Sequence, residues 1–290
     1  MASEPYIGRF APSPSGPLHF GSLVTALASY LDARHNQGLW LLRIEDLDPP
    51  RESRRAPKEI MSQLRSCGLE WDSEVIYQSS RVAVYHAHLK NLSEWGACYP
   101  CKCVRKQTPK IYPGICRNNS FDSTIEPFSI RLQTDDSQVE FRDLFYGFKS
   151  YNCRTEIGDF IIRRKDGLIA YQLAVIADDN LQGVTHIIRG SDLLTSTAKQ
   201  IFLAKKLKLS IPIYGHIPIV VDSLGQKLSK QSNAKPIDKK SPLTMLRLAL
   251  RALGQDPQIH ANNTRELLKN AISNWGRHLV PETHFAHNSK

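Results

Sequence analysis

The chain has 290 residues, 41% of them apolar, and 38 Lys and Arg against 28 Asp and Glu, a formal net charge of +10. That length suits one large domain or two ordinary ones, and the positive balance favours a polyanionic partner such as nucleic acid. No stretch reaches the length of a membrane-spanning helix, and Met1-Ala2-Ser3-Glu4-Pro5 lacks the basic-then-apolar order of a secretory signal, so a cytoplasmic protein with no membrane partner is expected.

Tyr6-Ile7-Gly8-Arg9-Phe10 reads as a short strand. Ala11-Pro12-Ser13-Pro14-Ser15-Gly16-Pro17 cannot continue it, because three prolines fix φ and remove donors. Apolar periodicity resumes at Leu23, Leu27, Tyr30 and Leu31 and predicts a helix to about Asn36, with Gly38 as its stop. Leu39-Trp40-Leu41-Leu42-Arg43-Ile44 is the near-continuous apolar run of a buried parallel strand. Strand, helix, strand in this order predicts a right-handed βαβ unit and an α/β, Rossmann-like doubly wound sheet. Helices are expected at about 52–67 and 80–96, then strands from Phe128 to Arg189 with a hairpin turn at Lys165-Asp166-Gly167. A helix over Asp192 to Leu207 and a strand at Ile217-Pro218-Ile219-Val220-Val221 lead into a polar loop from Asp222 to Ala234. Residues 241 to 275 read as helical, and Phe285 to Lys290 as a frayed tail.

His19-Phe20-Gly21-Ser22 lies where the Pro-rich loop meets a helix N-terminus. Unpaired N–H groups and the helix dipole suit a phosphate there, Gly21 admits a nucleotide close to the backbone, and His19 can donate to a phosphate oxygen. No Walker-type loop and no G-x-G-x-x-G fingerprint occurs. About two hundred residues on, Lys227-Leu228-Ser229-Lys230-Gln231 places two lysines three residues apart, within reach of one triphosphate.

Six cysteines are present, and Cys98, Cys101, Cys103 and Cys116 cluster in a way that reads first as a metal site. A closed structural zinc site needs four donors. Cys101, Cys103 and Cys116 supply three, and ligand chemistry alone favours Cys98 over Tyr112 for the fourth.

The two basic and His-containing motifs, in their order and spacing, resemble the H-I-G-H and K-M-S-K-S signatures of class I aminoacyl-tRNA synthetases. Arg9 to His19, Leu42 to Asp48 and Arg189 to Leu194 are similar to segments of the glutamyl-tRNA synthetases, and the likeness runs to about residue 240. Ser22 replaces the last His of the first signature, and Leu228 and Gln231 replace Met and Ser of the second. The resemblance implies a glutamate site of Arg9, Phe10, Ala11, Pro12, Ser13, Glu45, Tyr171 and Arg189. Guanidinium groups would hold carboxylates and Glu45 the ammonium. It implies ATP binding, with Mg²⁺ as counter-ion, by His19, Gly21, Ser22, Lys227, Ser229 and Lys230, of which His19, Lys227 and Lys230 stabilise the departing pyrophosphate.

Only 290 − 230 = 60 residues follow Lys230, so the helical anticodon-binding portion of an ordinary glutamyl-tRNA synthetase is expected to be missing. That resembles the glutamyl-Q tRNA(Asp) synthetase family, which activates L-glutamate with ATP and attaches it to the queuosine base in the anticodon loop of tRNA(Asp). In that branch the zinc pattern has a tyrosine as fourth ligand, which falls on Tyr112. The implied organisation is 1–96 for the first half of the catalytic domain, 97–120 for the zinc insert, 121–235 for the rest of the insertion and the second half, and 236–290 for a helical segment contacting the tRNA stem. A monomer is expected. The alternatives are a conventional synthetase charging the 3′ end and an inactive tRNA-binding paralogue.

Overall fold

The computed structural model describes residues 5–104, 106, 108–119, 127–222, 225–228 and 235–286. Strand β1 (Ile7–Phe10) pairs in parallel with β2 (Leu39–Ile44), and β2 with the short β3 (Ile76–Tyr77). The crossover between β1 and β2 is α1 (Phe20–His35), the expected βαβ unit. The helix starts three residues before Leu23, because His19 caps it and brings Gly21 and Ser22 into its first turn. Helices α2 (Ala56–Ser66) and α3 (Val82–Glu94) follow, each shorter than expected and preceded by a 3₁₀ turn.

The insertion is antiparallel. β4 (Cys98–Cys101), β5 (Ser129–Leu132) and β8 (Phe160–Arg163) form one sheet, and β6 (Gln138–Asp143) and β7 (Gly147–Asn152) form a hairpin. The turn after β8 closes where Gly167 N–H donates to Arg164 O. The strands do not run on to Arg189, however: α4 (Tyr171–Leu181) intervenes. Its residues Leu173 to Asp179 are all buried, so it lacks the polar stripe that announces a helix and reads as a buried strand.

β9 (His186–Gly190) and β10 (Ile213–Ile217) pair in parallel around α5 (Leu194–Leu207). Thr185 N–H donates to Ile7 O at 2.9 Å, which brings this second parallel ribbon to the edge of β1. The run expected as one strand from Ile217 is split by Pro218, which has no N–H to give, and resumes as β11 (Val220–Val221). The C-terminal helical segment is two helices, α6 (Pro242–Ala252) and α7 (Thr264–Ser273). They separate at Gly254, whose φ is +68° and where a Cβ would lie 2.0 Å from Leu279 O, so only glycine fits. β12 (Phe285–Ala286) pairs in parallel with β11, so the tail is ordered that far; residues 287–290 lie outside the described chain.

α1, α2, α6 and α7 share one apolar core with β1 and β2, while α3, α4, α5 and the insertion strands share a second. A polar knot fastens the C-terminal segment to the first. Fully buried Asp32 accepts from Tyr6 Oη (2.5 Å), Trp275 Nε1 (2.9 Å) and Arg277 Nε and Nη2 (2.6 and 2.9 Å). Asp32→Ala strips the acceptor from four donors and leaves Arg277 without its counter-charge. The expected loss is about 3 kcal/mol, moderated because Arg277 is partly exposed to water. Urea denaturation measures it, and a loss below about 1 kcal/mol would contradict the role given to Asp32.

Candidate active site

The Pro-rich loop has no N–H at its three prolines, but its carbonyls are used. Pro12 O accepts from Glu45 N–H at 3.1 Å and Pro14 O from Ser53 N–H at 2.9 Å. The loop is thereby laid across the carboxyl ends of β1 and β2, where ligands sit in sheets of this kind. Buried Gln63 of α2 brackets Leu18, its Oε1 accepting from Leu18 N–H at 2.7 Å, while Ile237 N–H donates to Leu18 O at 2.9 Å. The result is a cleft of about 410 Å³. It is lined by Arg9, Phe10, Ala11, Pro12, Ser13, Glu45, Tyr171 and Arg189, and also by His19, Gly21, Ser22 and Lys227. Both sets of sequence candidates therefore share one cavity. Ser229 and Lys230 lie outside the described residues.

At one end the charges are answered pairwise. Buried Asp179, near the end of α4, accepts from Arg9 Nε (3.2 Å) and from Arg43 Nη1 (2.7 Å), and Arg43 Nη2 reaches Glu45 Oε1 at 3.2 Å. Burial raises the Glu45 pKa despite Arg43 and Arg9, so an incoming ammonium meets a carboxylate in need of positive charge. Arg189 differs. Its Nε donates to His216 Nε2 (3.1 Å), Nη1 to Tyr171 Oη (3.3 Å) and Nη2 to Thr197 Oγ1 (2.7 Å). All three partners are neutral: burial depresses the His216 pKa and raises that of Tyr171. Among the described cations of the cleft, Arg9 and Lys227 meet carboxylates and Arg189 meets none.

At the other end His19 caps α1. Its Nδ1 accepts from Ser22 N–H at 3.3 Å, so Nε2 carries the proton, 3.1 Å from Ser22 Oγ. A Cβ on Gly21 would press on the His19 ring at 3.2 Å, so Gly21 makes room for the imidazole as well as for a ligand. Lys227 Nζ pairs with Asp192 Oδ2 at 2.5 Å.

The cysteine cluster stands apart, in the insertion. The sulfurs of Cys101, Cys103 and Cys116 lie within 4.8 Å of one another. The phenol oxygen of Tyr112 sits 3.5 Å from Cys101 Sγ and 3.2 Å from Cys103 Sγ, and Cys103 and Cys116 sulfurs are 3.5 Å apart. Cys98 packs instead against the second apolar core, so the geometry gathers Tyr112 rather than Cys98 with the three thiols. Arg131 lies over the Tyr112 ring at 3.8 Å and donates to Cys101 Sγ at 3.2 Å.

Sequence reading missed Asp179, Arg43, His216, Asp143, Thr197 and Asp192. Two buried acids in the apolar run of α4, and a histidine in the apolar strand Ile213–Ile217, are the available signals, since such groups stay buried only when paired.

Residues 7–111 and 116–263 match the family described as tRNA synthetases class I (E and Q), catalytic domain. A Pseudomonas fluorescens protein named glutamyl-Q tRNA(Asp) synthetase is 46% identical over 286 residues, which span 97% of this chain and 95% of that one. One of the same name from Pseudomonas putida is 47% identical over 95% of this chain and 94% of its own. Among solved structures, a glutamate tRNA ligase from Elizabethkingia meningosepticum in complex with its amino acid is similar at a TM-score of 0.80 and 25% identity, over 98% of this chain and 67% of that one.

Proposed function

The chain belongs to the class I (E and Q) tRNA synthetases, among the glutamyl-Q tRNA(Asp) synthetases, and we propose from that premise that it activates L-glutamate with ATP and transfers the glutamyl group to queuosine of tRNA(Asp). The observation that carries the substrate is Arg189. Arg9 and Arg43 touch Asp179 and Glu45, whereas Arg189 touches no carboxylate, the buried Asp143 reaching it only through neutral His216. A substrate carboxylate gives Arg189 the direct charged partner it lacks, and a neutral side chain does not.

In this reading Glu45 binds the ammonium, Arg189 with Tyr171 binds a carboxylate, and the α-carboxylate is left to attack the α-phosphorus of ATP in line. His19 Nε2–H, once released from Ser22, donates to a phosphate oxygen, and Lys227 and Lys230 neutralise the leaving pyrophosphate. Mg²⁺ supplies charge neutralisation between the phosphates when bound. A ring hydroxyl of queuosine then attacks the glutamyl carbonyl of the adenylate, the ester forming as the acyl–phosphate bond breaks and AMP leaves. Arg54, Arg55 and Lys58 are exposed around the start of α2, and Lys239 Nζ lies 3.5 Å from Ser62 Oγ of the same helix, so this region offers positive charge to tRNA phosphates.

The test uses labelled glutamate, ATP and tRNA(Asp) with or without queuosine. Label confined to the queuosine sample and surviving removal of the 3′ nucleotides is expected. Label on tRNA(Glu) that is lost with the 3′ end would replace this reading by that of a conventional synthetase.

We assign Cys101, Cys103, Cys116 and Tyr112 to one structural Zn²⁺. Tetrahedral bonds of about 2.3 Å to sulfur and about 2.0 Å to oxygen put sulfurs ~3.8 Å apart and sulfur ~3.5 Å from oxygen. The separations of 3.5 Å, and of 3.2 and 3.5 Å, fit such a shell with little movement. Arg131 offsets the negative charge of a thiolate-rich site. About one zinc per chain is expected by elemental analysis, retained by Cys98→Ser, weakened by Tyr112→Phe and lost in Cys101→Ser. Equal loss in Cys98→Ser would refute this ligand set.

A further inference from the structure

We propose that Asp143 and His216 are positioning residues that fix the direction in which Arg189 presents its charge, and so set the preference for a carboxylate side chain over a neutral one. The proposal rests on the reading of the cleft as a glutamate site and deepens it.

Asp143 ends β6, far from the cleft in sequence, yet its carboxylate is buried against β10. One oxygen accepts from the N–H groups of Phe145 and Tyr146, both at 3.0 Å, and of His216 at 3.2 Å. The other lies 2.5 Å from His216 Nδ1. An ionised carboxylate only accepts, so the imidazole proton must sit on Nδ1 and the Nε2 lone pair is left unprotonated. That lone pair faces Arg189 Nε at 3.1 Å. Thr197 Oγ1 closes the triangle, 2.7 Å from Arg189 Nη2 and 3.0 Å from His216 Nε2. The guanidinium is thus gripped along its Nε–Nη2 edge. Its Nη1 end, beside Tyr171, is the part turned to the ligand.

The other tautomer would set an Nε2–H against the Nε–H of Arg189, donor against donor in a dry site. The guanidinium would have to turn, and the contact of its Nη1–H with a carboxylate depends on that angle. A second feature makes the arrangement selective as well as rigid. The device holds the arginine with an uncharged acceptor, whereas a second carboxylate touching Arg189 would cancel the charge that separates glutamate from glutamine.

The experiment is glutamate-dependent ATP–pyrophosphate exchange on full-length wild type, Asp143→Asn, His216→Phe and His216→Gln, with glutamine as competing substrate. His216→Phe is expected to raise KM for glutamate about tenfold to a hundredfold, as for loss of a hydrogen bond to a charged group, and to leave KM for ATP within about twofold. Discrimination against glutamine falls in the same variant. His216→Gln, whose carbonyl can take the Arg189 Nε–H, recovers most of the loss. Nitrogen NMR of labelled histidine should show the Nδ1–H tautomer in the wild type and its decline in Asp143→Asn. Glutamate and ATP constants rising together, no gain from Gln over Phe, or an Nε2–H tautomer in the wild type would each overturn the proposal. Wild-type activity with unchanged variant constants removes this inference alone; a wild type that activates no glutamate removes the functional reading and this inference with it.

Discussion

Arg189→Gln is expected to lower kcat/KM for glutamate in pyrophosphate exchange by about a thousandfold, equivalent to ~4 kcal/mol, through KM more than kcat. The size follows from the surroundings. The guanidinium is buried and touches no carboxylate of the protein, so a bound carboxylate would be its direct counter-ion in a poorly screened cavity. Removing it orphans no charge of the protein, because His216, Thr197 and Tyr171 are neutral, and glutamine keeps polar reach toward them. The fold should therefore survive, and an unchanged thermal transition beside the kinetic loss is part of the expectation. Arg9 would be a poorer choice of test. It shares Asp179 with Arg43, so its loss disturbs a buried ion network as well as a ligand contact. A glutamate KM for Arg189→Gln within about threefold of wild type would show that the carboxylate is held elsewhere.

The βαβ opening was legible because its signals are local. Prolines cannot donate to a ladder, and the run after Leu39, from Trp40 to Ile44, is buried on both faces. α4 was not legible, because a helix buried all round carries no periodicity of polarity. The split at Pro218 was written in the residue itself, yet adjacency of Ile217 and Val220 concealed it; the missing donor at Pro218 ends one strand and a new partner, Phe285–Ala286, starts the next. In the cleft, residues on named motifs could be read along the chain. Their supports could not: Asp179 is 170 residues from Arg9, and Asp143 is 73 residues from His216. Such pairs depend on three-dimensional closure, and sequence marks them only as acids and a histidine in runs too apolar to leave them unpaired. The choice between Cys98 and Tyr112 is of the same type. Alternation along β4 sends Cys101 to the thiol cluster and leaves Cys98 with the second core, a distinction invisible to spacing alone.

Lys230→Ala is expected to lower kcat for pyrophosphate exchange by about a hundredfold to a thousandfold while glutamate binding, followed by titration calorimetry, stays unchanged. The argument starts from Leu228. Where the signature of this class has Met, this chain places a leucine that is buried in the first core, with its N–H bonded to Val220 O at 2.9 Å. The apolar anchor of the loop is thereby retained, since Leu for Met conserves volume and hydrophobicity. It pins the chain at the mouth of the cleft, with Lys227 one residue before it and Lys230 two residues after. Lys227 is engaged with Asp192 in the free protein, so a triphosphate must compete with that carboxylate for it, and Lys227→Ala is expected to cost less, roughly tenfold. Lys230 lies outside the described residues, and its role follows from its place relative to the anchor. Lys227 has Asp192 as its ion-pair partner rather than Glu45, and the split between lost chemistry and kept binding is expected on that ground. Glutamate affinity falling in step with kcat in Lys230→Ala would mean that the loop shapes the amino acid site and that the division of the cleft into two ends is wrong.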